Sequence, residues 1–247
     1  MLSEAGMLRW SLLAAGLALA LGQGSARAHE ALTAWERKWH HAVEQVRALP
    51  AFDGVPLQVR YRHAKEGDPL LRTRINAAGL CEMVVSAQGH PQAEGARHIA
   101  PLHQQVLQQA LVFHELSACW RWHKDPAQYE GHLARLKVAA PNTELSARAQ
   151  QWYAKEEAFS DVATLAWVEE THPRAYPSIF AWWQAMRQEP GSAAVNPYSQ
   201  RALQHIAAHG LIQAGGAFES ARNTLETISA RGRTVSTQAV PGKRAPN

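Results

Sequence analysis

Cysteine is scarce. The 247 residues contain two, Cys81 and Cys119. The chain can close at most one disulfide on itself. Two buried thiols are the other reading, because sequence alone does not give the distance between the two side chains. Charge is sparse as well, at 19% of residues. The apparent basic excess, with a pI near 9.3, lies at the ends. Arg9 and Arg27 precede residue 29, and Arg231, Arg233, Lys243 and Arg244 follow residue 230. Without these six and Glu4, 19 basic and 20 acidic residues remain. A near-neutral domain argues against a nucleic-acid-binding surface, which needs a concentrated basic patch. No internal repeat is present, and beyond residue 28 no segment is apolar enough to span a bilayer. Ser117 and Ser160 have no His and Asp partners at an informative spacing, so nothing supports a serine hydrolase. At 46% hydrophobic residues the chain has the material for a core, which excludes global disorder.

The opening residues read as a secretory leader. Arg9 supplies the positive start, residues 10–22 (WSLLAAGLALALG) the apolar stretch, and Ala26-Arg27-Ala28 a small-x-small cleavage site. Cleavage is expected after Ala28, with Met7 an alternative start; an uncleaved anchor is the competing reading. No cysteine near that site supports a lipid anchor. The mature chain is therefore expected to be periplasmic or secreted, with no integral membrane segment. The oxidising compartment would let Cys81 and Cys119 pair.

Apolar spacing predicts a helix over residues 29–49, stopped by Pro50. Alternation predicts a strand over 56–62 (PLQVRYR), and 81–87 (CEMVVSA) is a second strand candidate. Residues 88–95 read as a loop. Helices are expected over 98–123, 145–170, 174–187, 199–209 and 216–230. The polar, basic stretch from 231 to 247 reads as a disordered tail. The expected class is α+β, predominantly helical, with a small sheet before the first long helix. Three segments follow: a signal peptide over 1–28, one domain over 29–230 and the tail.

Two segments carry chemistry. The first is VFHELSACWR, residues 112–121. A zincin helix uses H-E-x-x-H: two imidazoles one turn apart bind Zn²⁺, and the Glu activates the metal-bound water. His114 and Glu115 are present, but the second histidine position is Ala118, whose methyl cannot ligate. Cys119 is no simple substitute, lying roughly 140° around the helix from His114. The second segment is KEEAFSDVATL, residues 155–165, where Glu157 and Asp161 are four apart and share a helix face.

Together these segments resemble the gluzincin zinc metallopeptidases. They also resemble a group of uncharacterised exported bacterial proteins with a C-x-x-x-V-S strand, an HE-x-x-H-C-W-R helix and an E-x-F-A-D helix. Here those motifs read CEMVVS, HELSACWR and EAFSD, and the likeness covers about residues 81–187. The resemblance implies a zincin-like domain. Its metal ligands would be His114 and Glu157, its catalytic general base Glu115, and Asp161 would hydrogen-bond the ligand histidine. It also implies that the strand before the HE helix is an edge strand that pairs with an extended substrate. Ala118 departs from the pattern, so zinc is expected to be weakly bound or absent.

Other residues carry weaker signals. His40-His41 and the pair His205 and His209 have ligand spacing but lack an evident third ligand, so surface histidines are the plainer reading. His123 is a checkable replacement ligand. Tyr198 sits where gluzincins often place an oxyanion-stabilising side chain, although a helix-capping loop residue explains it as well. Trp120, Trp122 and Trp167 read as core. Trp182 and Trp183 cannot both face inward, so one of them lines a groove or contact surface. The functional expectation is an exported zinc-metallopeptidase-like pseudoenzyme. The alternative is a non-catalytic module that binds a peptide or protein partner. No nucleic-acid partner is expected.

Overall fold

The computed structural model describes residues 34–76, 78–88, 90, 101–124, 147–188 and 196–237. The expected leader, its cleavage site, the region around Pro126 and Pro141, and residues 238–247 lie outside these. Within them the order is α1 (Ala34–Arg47), a 3-10 turn (Pro50–Phe52), β1 (Leu57–His63), β2 (Leu71–Ile75), β3 (Cys81–Gln88), α2 (Pro101–Lys124), α3 (Ala147–Thr171), α4 (Tyr176–Gln188), α5 (Pro197–His209) and α6 (Ala217–Thr237). The class is α+β, with helices dominant. No helix among the described residues is long and apolar enough to cross a membrane.

Each helix follows from its sequence. On α1, Trp39, Val43 and Val46 fall on one face and are buried. Asn196 caps α5, its side chain accepting from the Tyr198 and Ser199 amides, and Pro197 fills the first turn. Helix α3 is the hub, packed against α2, α4, α5 and α6. From Ala158 to Val168 every residue of it is buried. Phe113 on α2, Trp167 on α3 and Phe218 on α6 stack on one another and join the three helices, with ring centroids 5.1 and 5.4 Å apart.

Helix α6 continues to Thr237 rather than giving way to a tail at Arg231. Nothing in RGRTVST forbids the continuation, because a single glycine inside a helix costs only about 1 kcal/mol relative to alanine.

The sheet order is β1-β3-β2, with β1 parallel and β2 antiparallel to β3. The sequence reading missed β2, whose alternation LRTRI is punctuated by two arginines. A tight turn joins β2 to β3. The Asn76 side chain accepts from the Ala78 and Leu80 amides, and Gly79 takes φ 75°, a left-handed conformation that suits glycine. This pairing overturns the expectation that Cys81–Gln88 is an edge strand. It is the central strand, paired on both sides, so it has no free edge to offer a substrate. Cys81, Met83, Val85 and Ala87 of this strand are all buried.

Cys81 opens β3 and Cys119 lies on α2. They form a disulfide with Cα atoms 5.9 Å apart, and both residues are buried. The bond ties sheet to helix across a sequence separation of 38 residues. Replacing both by alanine (Cys81→Ala, Cys119→Ala) is expected to lower stability by about 2–4 kcal/mol. Urea unfolding of the two proteins measures the difference, and matching midpoints would show that packing alone holds the strand to the helix.

Candidate functional site

Three helices aim polar side chains at one point. His114 comes from α2, Glu157 and Asp161 from one face of α3, and Trp183 and Arg187, again one turn apart, from α4. Of these, Glu157 is half exposed, while Asp161 is fully buried. The distances are short. His114 Nε2 lies 3.1 Å from Asp161 Oδ1 and 3.6 Å from Glu157 Oε2. Arg187 Nη2 donates to Glu157 Oε2 at 3.0 Å and to Asp161 Oδ1 at 2.5 Å. Trp183 Nε1 donates to the same Asp161 oxygen at 2.9 Å. The other carboxylate oxygen, Oδ2, is buried without a hydrogen bond among the described residues.

The protonation of His114 follows from this arrangement. Its Nε2 is also 3.2 Å from Arg187 Nη2. That contact is a hydrogen bond only if the imidazole is neutral and accepts at Nε2. The Asp161 contact is one only if Nε2 carries the proton. Charge decides for the second, since three carboxylates surround two basic groups. Burial depresses the imidazole pKa, but the Asp161 hydrogen bond, the Glu115 contact, and the charges of Glu157 and Asp161 together raise it to about 10. His114 is thus an imidazolium at neutral pH. Burial alone would raise the Asp161 carboxyl; the Arg187 charge and the His114 hydrogen bond instead hold it well below the usual carboxylate range. Arg187 keeps its charge throughout, because the two acids outweigh its burial.

Glu115 points elsewhere. Successive helix residues differ by about 100°, so when His114 faces α3 and α4, its neighbour turns to the sheet. Glu115 Oε2 accepts from both the amide and the hydroxyl of Thr73, each at 2.9 Å. Leu70 accepts from the Ser86 amide across the ladder, so the odd residues of β2 direct their backbone amides away from β3. Glu115 therefore caps the free edge of β2 at Thr73. Its other oxygen is 3.8 Å from His114 Nδ1.

His114, Glu157 and Asp161 are a group that could hold a metal ion, each offering one ligand atom within 4.8 Å of the others. The side chains as they stand do not fit a resident zinc. Zinc takes an unprotonated imidazole nitrogen. Here Arg187 Nη2 already bonds the oxygen of each acid that faces His114 Nε2. An acid that fixes a ligand histidine binds one ring nitrogen and leaves the other for the metal. Asp161 instead lies against the same nitrogen as Glu157. Ala118, one turn beyond His114, adds no donor.

A half-open cleft of about 190 Å³ lies over this cluster. Leu70, Leu71, Leu111, Trp183 and Met186 form its apolar walls, and His114, Glu115, Glu157 and Arg187 its polar floor. Trp183 is thus the buried, cleft-lining member of the tryptophan pair, with Trp182 half-buried beside it. Tyr198 does not reach the cleft; its hydroxyl accepts from Gln151, 2.7 Å away. His205 and His209 meet edge to face at 4.8 Å between centroids, and no group with a third ligand includes them among the described residues. His123 likewise lies outside the metal-competent group. His40 stacks on Tyr61 of β1. Ser117 Oγ donates to the carbonyl of Phe113 in its own helix.

Sequence reasoning missed Arg187. A signal was present: Arg187 is the single charged residue of a helix rich in aromatic and apolar residues, YPSIFAWWQAMRQ. A charge on such a helix needs a buried partner. Comparison with known proteins assigns this geometry to no family, since no protein-family model, no curated protein and no solved structure matches the chain.

Proposed function

We propose that this chain is an exported metallopeptidase-like protein that has exchanged its metal for an internal cation and binds rather than cleaves. The observation that carries this reading is the position of Arg187 Nη2, bonded to both acids that would face the metal. A guanidinium neutralises the carboxylates, as a divalent ion would, but it offers no open coordination position and cannot lower the pKa of a bound water. One oxygen of Glu115 is already taken up by Thr73. The apolar cleft above the cluster is then a pocket for a side chain of a peptide or protein partner. Export and oxidation suit the buried disulfide.

Metal content tests the reading directly. After equilibration with micromolar zinc and gel filtration, the purified mature protein is expected to retain well under one equivalent and to show no peptidase activity. Combining Ala118→His with Arg187→Ala restores a ligand and frees the acids. That variant should hold zinc far more tightly than the native protein. Stoichiometric zinc in the native protein, with proteolysis abolished by Glu115→Gln, would overturn the proposal and make the chain an enzyme.

A further inference from the structure

The outer face of the sheet carries a second polar cluster, unrelated to the cleft. Arg60 of β1 and Arg72 of β2 both stand level with Val84 of β3, and Arg74 stands level with Glu82. With strands about 4.8 Å apart, Arg60 and Arg72 face each other across roughly 10 Å. Between them is a recess of about 310 Å³, lined by Arg60, Arg62, Arg72, Arg74, Glu82 and Val84 along with Tyr61.

The recess is organised from below. Glu82 is 2% exposed although it lies on the solvent side of the sheet, because arginines cover it. Its two oxygens meet Arg60 Nε, at 2.6 Å, and Arg74 Nε. Each contact uses the inner edge of a guanidinium. The terminal nitrogens of Arg60 and Arg74 make no hydrogen bond or ion pair among the described residues, and these side chains are 59% and 60% exposed. Arg62 is engaged by Asp68 and Ser86. Arg72 makes no ion pair among the described residues. Four guanidiniums thus face two carboxylates, Glu82 and Asp68, which leaves two positive charges uncompensated around the recess. Near-neutrality of the whole domain conceals this local surplus.

We infer that this recess binds a dianionic phosphate group. Guanidinium forks match tetrahedral oxyanions through paired N–H donors. Glu82 holds two of them oriented before any ligand arrives, and the two surplus charges match a doubly ionised phosphate. The group can belong to a free phosphate or to a lipid headgroup.

Two arms distinguish these sources. Calorimetric titration of the mature protein with inorganic phosphate, at constant ionic strength in chloride, reads the first. Flotation with phosphatidylcholine vesicles, with and without phosphatidic acid, reads the second. Arg72→Gln is the diagnostic variant, since Arg72 holds no partner that folding depends on; its urea midpoint should match the native value. Saturable binding in one arm, weakened about tenfold or more by Arg72→Gln, is the expected result. Saturation in the phosphate arm identifies a free ligand, and phosphatidic-acid-dependent flotation alone identifies the headgroup. Failure of both arms, or binding that Arg72→Gln leaves unchanged, would overturn the inference. Neither outcome bears on the metal content of the cleft, so the two proposals fail separately.

Discussion

Replacing Asp161 with alanine is expected to lower the folding free energy by about 3–5 kcal/mol. Its Oδ1 accepts from Trp183 and Arg187 and lies 3.1 Å from His114 Nε2. Removing it leaves an imidazolium and a guanidinium 3.2 Å apart in a buried site, with only the half-exposed Glu157 between them and water. Like charges at that distance repel strongly where the dielectric is low. At about 2–4 °C per kcal/mol for a domain of this size, the midpoint of thermal unfolding should fall by roughly 6–20 °C. The cost comes from uncompensated charge, not from lost attraction. The triple replacement His114→Leu, Asp161→Leu, Arg187→Met should therefore cost less than Asp161→Ala alone, because it removes the whole network instead of one partner. Calorimetry of both variants checks the ordering. A loss under 1 kcal/mol for Asp161→Ala would show that the two cations do not depend on it.

Stability should also fall as the pH rises from about 6.5 to 10. The native His114 pKa is raised from 6.5 to about 10, so the folded state holds a proton that the unfolded state releases. That contribution is complete below about 6.5 and disappears as the pH passes through 10. Asp161 acts in the opposite sense. Its native pKa is depressed, so its contribution is present above about 4 and is lost as the pH falls toward the native value. The two together place maximal stability between about pH 4 and 6.5. The groups that face His114 are Glu115 from its own helix, Glu157 and Asp161 from α3, and Arg187 from α4. Tyr61 and Tyr176, both raised chiefly by burial, begin to titrate only above this window. The loss across it should be on the order of a few kcal/mol. Urea midpoints at pH 6, 8 and 9.5 measure it, and His114→Gln should flatten the profile. A native profile already flat from pH 6 to 9.5 would mean that His114 is neutral when folded.

The sequence by itself determined the local elements and the pairing of motifs. Helical patterning marked all six helices among the described residues, although α6 runs to Thr237, well past its expected end at 230. Alternation marked β1 in the same way. His114, Glu157 and Asp161 were legible as a convergent set because the resemblance to gluzincins pairs the HE helix with the EAFSD helix, on which Glu157 and Asp161 share a face. Tertiary structure alone decided what that set does. Arg187 lies 73 positions from His114, and no local pattern couples them. Its side chain reaches the acids only because α4 packs across α3. The turn of Glu115 toward Thr73 depends on β2 lying along α2, and β3 is central only because β1 and β2 fold onto opposite edges of it. The surplus of charge on the outer face arises in the same way. Arg60 and Arg72 are twelve residues apart in the chain and become neighbours through a strand that neither belongs to. Periodicity records which way a side chain points from its own element. What it meets there is set by long-range packing, which a single sequence does not record.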